Sequence, residues 1–130
     1  MNDIVLPNFM KFGSGSVSQI TDILKKINCT KPIIITDKTM VNLKIIEPLE
    51  KALTNFQIIY TIYDNTIPEP TSKSIEEGTS IIRSGDFDCI IAFGGGSPID
   101  SAKAMSVLAK FGGEISDYKF PHITNEMAYP

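Results

Sequence analysis

Histidine and tryptophan are the residues this sequence most lacks: its 130 residues include one histidine, His122, and no tryptophan. Histidine is the commonest metal ligand among protein side chains, so this chain alone cannot build a site that needs several of them. An excess of basic charge is missing too, because the formal net charge is −3. Nucleic-acid binders generally present a basic face to phosphates, and the charge balance argues against that class.

Long apolar runs and a leader-like start are also absent. No apolar stretch approaches the roughly 20 residues of a membrane-spanning helix. The chain opens with Met1-Asn2-Asp3, which has an acid and lacks the basic, apolar and small-residue order of a secretory signal. We therefore expect a cytoplasmic protein with no membrane partner. The two cysteines, Cys29 and Cys89, match no zinc or redox spacing, so we expect two free thiols in a reducing cytoplasm.

What is present is a pattern of alternating helices and strands in a chain of one-domain length, 42% hydrophobic and 21% charged. Helical periodicity covers about 17–27, 38–53 (with a new turn opened by Pro48), a segment from 71 and a segment from 97. Buried strands are predicted at Ile33–Thr36, Phe56–Ile62 and Cys89–Phe93. Such alternation with short links is typical of a parallel α/β sheet with helices on both faces. We place this domain at 1–113 and an irregular tail, or the start of a linker, at 114–130.

The most informative stretch is Gly94-Gly95-Gly96, which follows a predicted strand and precedes a predicted helix. Glycines let the backbone approach a ligand closely. We expect Ser97 to cap the helix, Pro98 to take its first position, and Asp100 to complete a capping-box-like pair. Free amides at a helix start form an anion site suited to phosphate or pyrophosphate. The alternative is a tight strand-to-helix turn without a ligand. The loop has neither the G-x-G-x-x-G spacing nor the Gly-Lys-Ser/Thr ending of a P-loop.

Asp37 follows a predicted strand and is the second candidate. Because the carboxyl ends of parallel strands meet at one edge of the sheet, Asp37 should lie near the glycines. It could accept both ribose hydroxyls of an adenosine, or it could cap the helix that follows, and these two roles are compatible. A third strand end carries Pro68-Glu69-Pro70, which suits a cofactor rim and an ordinary rigid loop equally well.

The run from Gly94 to Lys103 resembles the cofactor motif of the iron-containing (group III) alcohol dehydrogenases, Gly-Gly-Gly-Ser, then Asp, then Ala-Lys. Phe12-Gly13 with Gly15, Ile35-Thr36-Asp37 and Pro68-Glu69-Pro70-Thr71 also resemble family features in the same order. The resemblance implies a Rossmann-like dinucleotide-binding domain. It implies that Gly94, Gly95, Gly96 and Ser97 form the pyrophosphate loop, that Asp100 approaches the cofactor, and that Asp37 takes the ribose and favours NAD over NADP.

Two departures from the family pattern stand out. Glu69 occupies a position where the family usually has asparagine, so the contact made there is not transferred. The family binds iron, or sometimes zinc, through an aspartate and three histidines of a following helical domain, and this chain cannot supply that set. We therefore expect the NAD-binding part of an alcohol dehydrogenase that acts on a small alcohol or aldehyde and forms a homo-oligomer in its complete form. Alternatives are a glycerol dehydrogenase-like domain, more remotely a dehydroquinate synthase, and a nucleotide-binding module without catalysis.

Overall fold

A computed structural model describes residues 8–12, 20–26 and 28–112. The strands are β1 (Asn8–Phe12), β2 (Pro32–Ile35), β3 (Thr61–Tyr63) and β4 (Cys89–Phe93). The helices are α1 (Ile20–Lys26), α2 (Lys38–Asn42), α3 (Glu47–Asn55), α4 (Ser72–Ser84) and α5 (Gly96–Phe111). The predicted tail at 114–130 and the motif residues Gly13 and Gly15 lie outside the described residues.

The four strands form one parallel sheet in the order β1-β4-β2-β3. The prediction that three strands lie side by side and parallel is therefore confirmed, with β2 between β4 and β3. The strand β1, which the pattern had not shown, pairs with the free side of β4. The strand β4 thus lies between β1 and β2, inside a parallel sheet that helices cover on both faces, and all five of its residues are buried.

Helices pack on both faces of this sheet, as the α/β interpretation required. Because successive strand side chains alternate between faces, Ile90 and Ala92 face one core cluster while Cys89, Ile91 and Phe93 face the other. The first cluster includes residues of α4 and α5, namely Ile75, Ile82, Ala102, Met105 and Leu108. The second includes residues of α1 and α3, namely Ile20, Leu24, Leu49 and Leu53. The parallel-sheet, Rossmann-like fold class is thus confirmed.

The predicted strand at Phe56–Ile62 starts too early, because β3 begins only at Thr61. Phe56 ends α3 as its C-cap and donates its N–H to the Ala52 carbonyl, and the Gln57 N–H donates to the Thr54 carbonyl. Gln57 then takes a left-handed φ of 59°, which turns the chain out of the helix. Ile59 is 78% exposed, so an apolar, β-branched composition there does not reflect burial in the sheet.

The expectation of two free thiols is wrong, since Cys29 and Cys89 form a disulfide across 60 residues of sequence. Sequence spacing gave no hint of this, because the pairing depends on sheet register. Pro32 is paired with Cys89 in β4, so the loop that enters β2 passes beside the start of β4. Cys29, in that loop, thereby meets Cys89.

Asp88 ties the same loop to β4. Its carboxylate accepts the Thr30 N–H at 2.8 Å, the Lys31 N–H at 2.8 Å and the Thr30 hydroxyl at 2.9 Å. Partial burial acts to raise the pKa of Asp88, but these donors outweigh it and hold the pKa below its ordinary value of 3.8. The ionised carboxylate is therefore the form that stabilises the fold.

A pH-dependent test follows for Asp88→Asn. A carboxylate with a depressed folded-state pKa stabilises above its unfolded pKa and loses that contribution as the pH falls through the folded pKa. We expect the variant to be less stable than wild type near neutral pH, and the difference to shrink as the pH falls below about 4 and through the lowered folded-state pKa of Asp88. Urea unfolding at several pH values measures this. Asp86→Asn, which removes only the exposed ion pair with Lys31, is the control and should change little. A difference for Asp88→Asn that is constant across this range would contradict the assignment.

Candidate functional site

Two buried threonines join the carboxyl ends of the strands into one edge. The Thr36 hydroxyl donates to the Phe93 carbonyl at 2.9 Å, and the Thr66 hydroxyl donates to the Thr36 carbonyl at 2.7 Å. The Thr36 N–H also donates to the Tyr63 carbonyl at 2.9 Å. The ends of β4, β2 and β3 are thereby held together, as expected for strands that present loops to one site.

The glycine loop leaves this edge directly after Phe93. Gly94 has a φ of 128°, a conformation that residues with a side chain rarely adopt. A Cβ at Gly94 would also lie 3.2 Å from Cγ of Pro98 and 3.3 Å from Cγ of Met40. Glycine is therefore required here by backbone and packing together, and the loop lies against the first turns of α2 and α5.

Gly95 differs from Gly94, because it faces open space. No atom of the described residues lies within 4 Å of a Cβ built on it, and its φ of −85° is ordinary. Nothing in the packing of the residues that the structure describes explains a glycine at this position. The open space in front of Gly95 lies at the start of the 16-residue helix α5, where amide groups without intrahelical partners and the positive end of the helix dipole favour an anion.

The predicted capping of α5 is wrong in register. The helix begins at Gly96 with Gly95 as its N-cap, and no side chain makes a capping hydrogen bond. Ser97 is thus the second helical residue and Pro98 the third, and Asp100 completes no capping box. Gly95 has an extended conformation, which lets the helix start at Gly96, one residue before the serine. The N-cap residue, being a glycine, therefore offers no side-chain acceptor to the first-turn amides.

Asp37 lies next to the loop and caps α2. Its Oδ1 accepts the Met40 N–H at 2.9 Å, and the Met40 side chain approaches Gly94. The helix-cap interpretation of Asp37 is thus confirmed. The binding of a ribose by Asp37 stays a prediction. It is compatible with the cap, because the carboxylate has a second oxygen that can accept a hydroxyl.

A cavity of about 300 Å³ opens beside Asp37, at the low end of the range for small-molecule sites. It is lined by the residues that follow β2 and β3, namely Asp37, Lys38, Thr39, Asp64, Asn65, Thr66, Ile67 and Pro68. The Lys38 ammonium donates to Asp64 at 3.1 Å and to the Asn65 side-chain oxygen at 2.7 Å. One base against two acids leaves the lining with a net negative charge.

Sequence reasoning missed the contacts around Asn65, which lines this cavity. The Tyr63 hydroxyl donates to Glu77 Oε1 at 3.0 Å, and the Asn65 amide donates to the same oxygen at 3.3 Å. Burial and the nearby Glu77 carboxylate raise the pKa of Tyr63 well above its usual range, so its phenol remains a donor. Glu77 lies on α4, and no sequence signal pairs it with a strand end.

The other predicted residues contribute less. Glu69 is exposed in the loop after β3, between Pro68 of the cavity wall and buried Pro70. Asp100 is half-buried on α5. His122 lies outside the described residues. Within the described ranges, the only group of potential metal ligands is Cys29, Asp88 and Cys89, at the opposite sheet edge. No helix in the described part is long and apolar enough to cross a membrane.

Comparison with known proteins decides the family. The family model for iron-containing alcohol dehydrogenase matches residues 7–128. The chain belongs to this family. It is 32% identical over 108 residues to lactaldehyde reductase of Escherichia coli K12, covering 83% of this chain and 28% of that protein. It is 29% identical over 119 residues to the NAD-dependent methanol dehydrogenase of Bacillus methanolicus, covering 92% and 31%.

Solved structures agree with this assignment. An alcohol dehydrogenase from Oenococcus oeni has a TM-score of 0.73 at 27% identity, and the match covers 96% of this chain and 35% of that one. The chain therefore spans about a third or less of the length of these relatives. The glycine loop and the strand ends described above belong to a segment that these relatives share.

The two adjacent glycines should respond differently to alanine. Gly94→Ala forces a side chain into a left-handed backbone against Pro98 and Met40, which should cost about 2 kcal/mol of unfolding free energy. The alanine side chain of Gly95→Ala meets no atom in the described part of the chain, so we expect a loss below about 1 kcal/mol, the difference between the two residues as N-caps. Urea denaturation of both variants compares them, and equal losses would show that the loop does not have the conformation described.

Proposed function

We propose that this domain binds NAD for an iron-dependent alcohol dehydrogenase. The observation that carries the proposal is Gly95, a glycine in front of a helix start that the packing of the described residues does not require. Membership of the family supports it, as does the name of the Bacillus methanolicus relative, an NAD-dependent enzyme. NADP is the less favoured cofactor.

The pyrophosphate would lie at the start of α5. Gly94, Gly95 and Gly96 keep side chains out of its way, and backbone amides of the first turn, including that of Ser97, would donate to it. Asp100, one turn along the same helix, would approach the cofactor. Because the amides are fixed by the helix and by the bond from Thr36 to Phe93, little ordering would be needed on binding.

The adenosine would lie in the cavity beside Asp37. One carboxylate oxygen of Asp37 is used by the Met40 N–H, which fixes the side chain and leaves the other oxygen for a ribose hydroxyl. Asp37 and Asp64 together outweigh Lys38, whose ammonium is already held by Asp64 and Asn65. A 2′-phosphate would meet this negative lining, and this is the physical ground for preferring NAD.

The complete enzyme would transfer a hydride between a small alcohol or aldehyde and the nicotinamide. The described residues at the cofactor edge include no metal-ligand cluster, so the iron or zinc of the family would be held by residues outside the described part, where it would act as a Lewis acid on the alcohol oxygen. We further propose a cytoplasmic homo-oligomer. The carboxyl ends of the strands, which Thr36 and Thr66 hold together, would bind and orient the cofactor for that chemistry.

Asp37 can be tested with its capping role kept. Asp37→Ser retains a good N-cap and removes the charge, so stability should change by less than about 0.5 kcal/mol. Loss of a charge-assisted hydrogen bond to ribose should weaken NAD binding roughly tenfold or more, while NADP loses less because its 2′-phosphate no longer meets the carboxylate. Calorimetric titration of both cofactors measures this. An unchanged NAD-to-NADP ratio would leave Asp37 as a cap alone.

The 130-residue chain by itself should have no dehydrogenase activity, because its single histidine cannot complete the family's metal site. The assay supplies NAD, ferrous or zinc ion and a panel of short alcohols, with NADH absorbance as the readout. A metal-free sample serves as the blank. Metal-dependent NADH formation by the purified chain would contradict the division of labour proposed here.

A further inference from the structure

The disulfide lies at the amino-terminal ends of the strands, opposite the ends from which the glycine loop leaves the sheet. Cys89 opens β4, and Cys29 lies in the loop that leads into β2. Cys89 has no exposed surface and Cys29 is 6% exposed. The bond therefore joins two segments that are distant in sequence, in a place separate from the cofactor site.

The surroundings of Cys29 suit a thiol as well as a disulfide. Its Sγ lies 3.3 Å from Oδ1 of Asp88, so a reduced Cys29 has an acceptor for its S–H. The Thr30 and Lys31 donors to Asp88 hold the loop through contacts that do not involve either sulfur. Cys89 packs in the apolar cluster with Ile91 and Phe93, where a thiol behaves as a small apolar group. Both redox states are thus compatible with the same fold.

A metal site is the competing use of these residues, since ligand atoms of Cys29, Asp88 and Cys89 lie within 4.8 Å of one another. Both Asp88 oxygens, however, already accept hydrogen bonds from the backbone of the loop. The two sulfurs are bonded to each other rather than spread around a common centre. The arrangement favours a redox pair.

We propose that Cys29 and Cys89 form a reversible disulfide that closes and opens by exchange with a small thiol–disulfide couple such as glutathione. In closing, the Cys29 thiolate attacks oxidised glutathione, forming a mixed disulfide and releasing one glutathione thiolate. The Cys89 thiolate then attacks Cys29 Sγ and releases the second. Two protein thiols are oxidised, one disulfide is reduced to two thiols, and the protons pass to the released thiolates. Cys29 reacts first because it is the more exposed.

Closing the bond should stabilise the domain without changing the cofactor site. A cross-link over 60 residues restricts the unfolded chain, whereas Asp37 and Gly95 lie at the other ends of the strands. Disulfides in cytosolic proteins are mostly transient and redox-sensing, so a cytoplasmic location would give this bond a regulatory role.

The experiment uses the full-length protein equilibrated in oxidised or reduced glutathione, treated with iodoacetamide and digested with trypsin. The relevant peptides span 27–38 and 84–103, so cysteines elsewhere do not interfere. We expect one linked peptide pair after oxidation, two alkylated peptides after reduction, and interconversion between them. The thermal midpoint should fall by at least about 5 °C on reduction, with NAD affinity unchanged.

Cys29→Ala is the matched variant, since it removes the more exposed sulfur and leaves Cys89 packed. We expect its thermal midpoint to be the same in both glutathione states. The proposal is overturned if both wild-type peptides are alkylated after oxidation, if the linked pair resists reduction in the folded protein, or if linkage leaves the wild-type midpoint unchanged. None of these outcomes depends on whether the domain binds NAD.

Discussion

The buried hydroxyl of Thr36 is the contact on which the candidate site depends. It donates to the last carbonyl of β4, while the Thr36 carbonyl accepts the hydroxyl of Thr66 beyond β3. Three strand ends are thereby fixed relative to one another in an interior where an unpaired polar group would be costly. These strand ends lead directly into the glycine loop, the Asp37 cap and the residues that line the cavity. The hydrogen bonds of the two threonines therefore fix the positions of these three features relative to one another.

Features set by local pattern could be predicted from the sequence. The run Cys89–Phe93 is uniformly apolar and is followed by Gly94, and the structure has a strand over the same five residues. Pro48 opens α3, as a proline in the first helical turn does. The strand prediction was wrong for residues 56–60, whose β-branched and aromatic composition is typical of a strand. The C-cap of α3 and the left-handed conformation of Gln57 take this stretch out of the sheet.

Features set by tertiary register could not be predicted in this way. The disulfide depends on Pro32 lying beside Cys89, and the Tyr63–Glu77 bond depends on how α4 crosses β3. The helix start at Gly96 was missed because serine is the stronger N-cap by propensity, yet an extended Gly95 serves instead. That local departure from preference lies at the functional edge, where sequence rules are expected to yield to ligand geometry.

The central claim is that a dinucleotide lies across the start of α5 and Asp37. Hydrogen–deuterium exchange of the full-length protein, with and without saturating NAD, tests it most directly because it reports backbone amides segment by segment. The account predicts that NAD slows exchange in peptides covering 94–100 and 37–40, with little change at 28–31 and 86–89. Saturating NAD that leaves 94–100 unprotected, or protects only the disulfide edge, would contradict it.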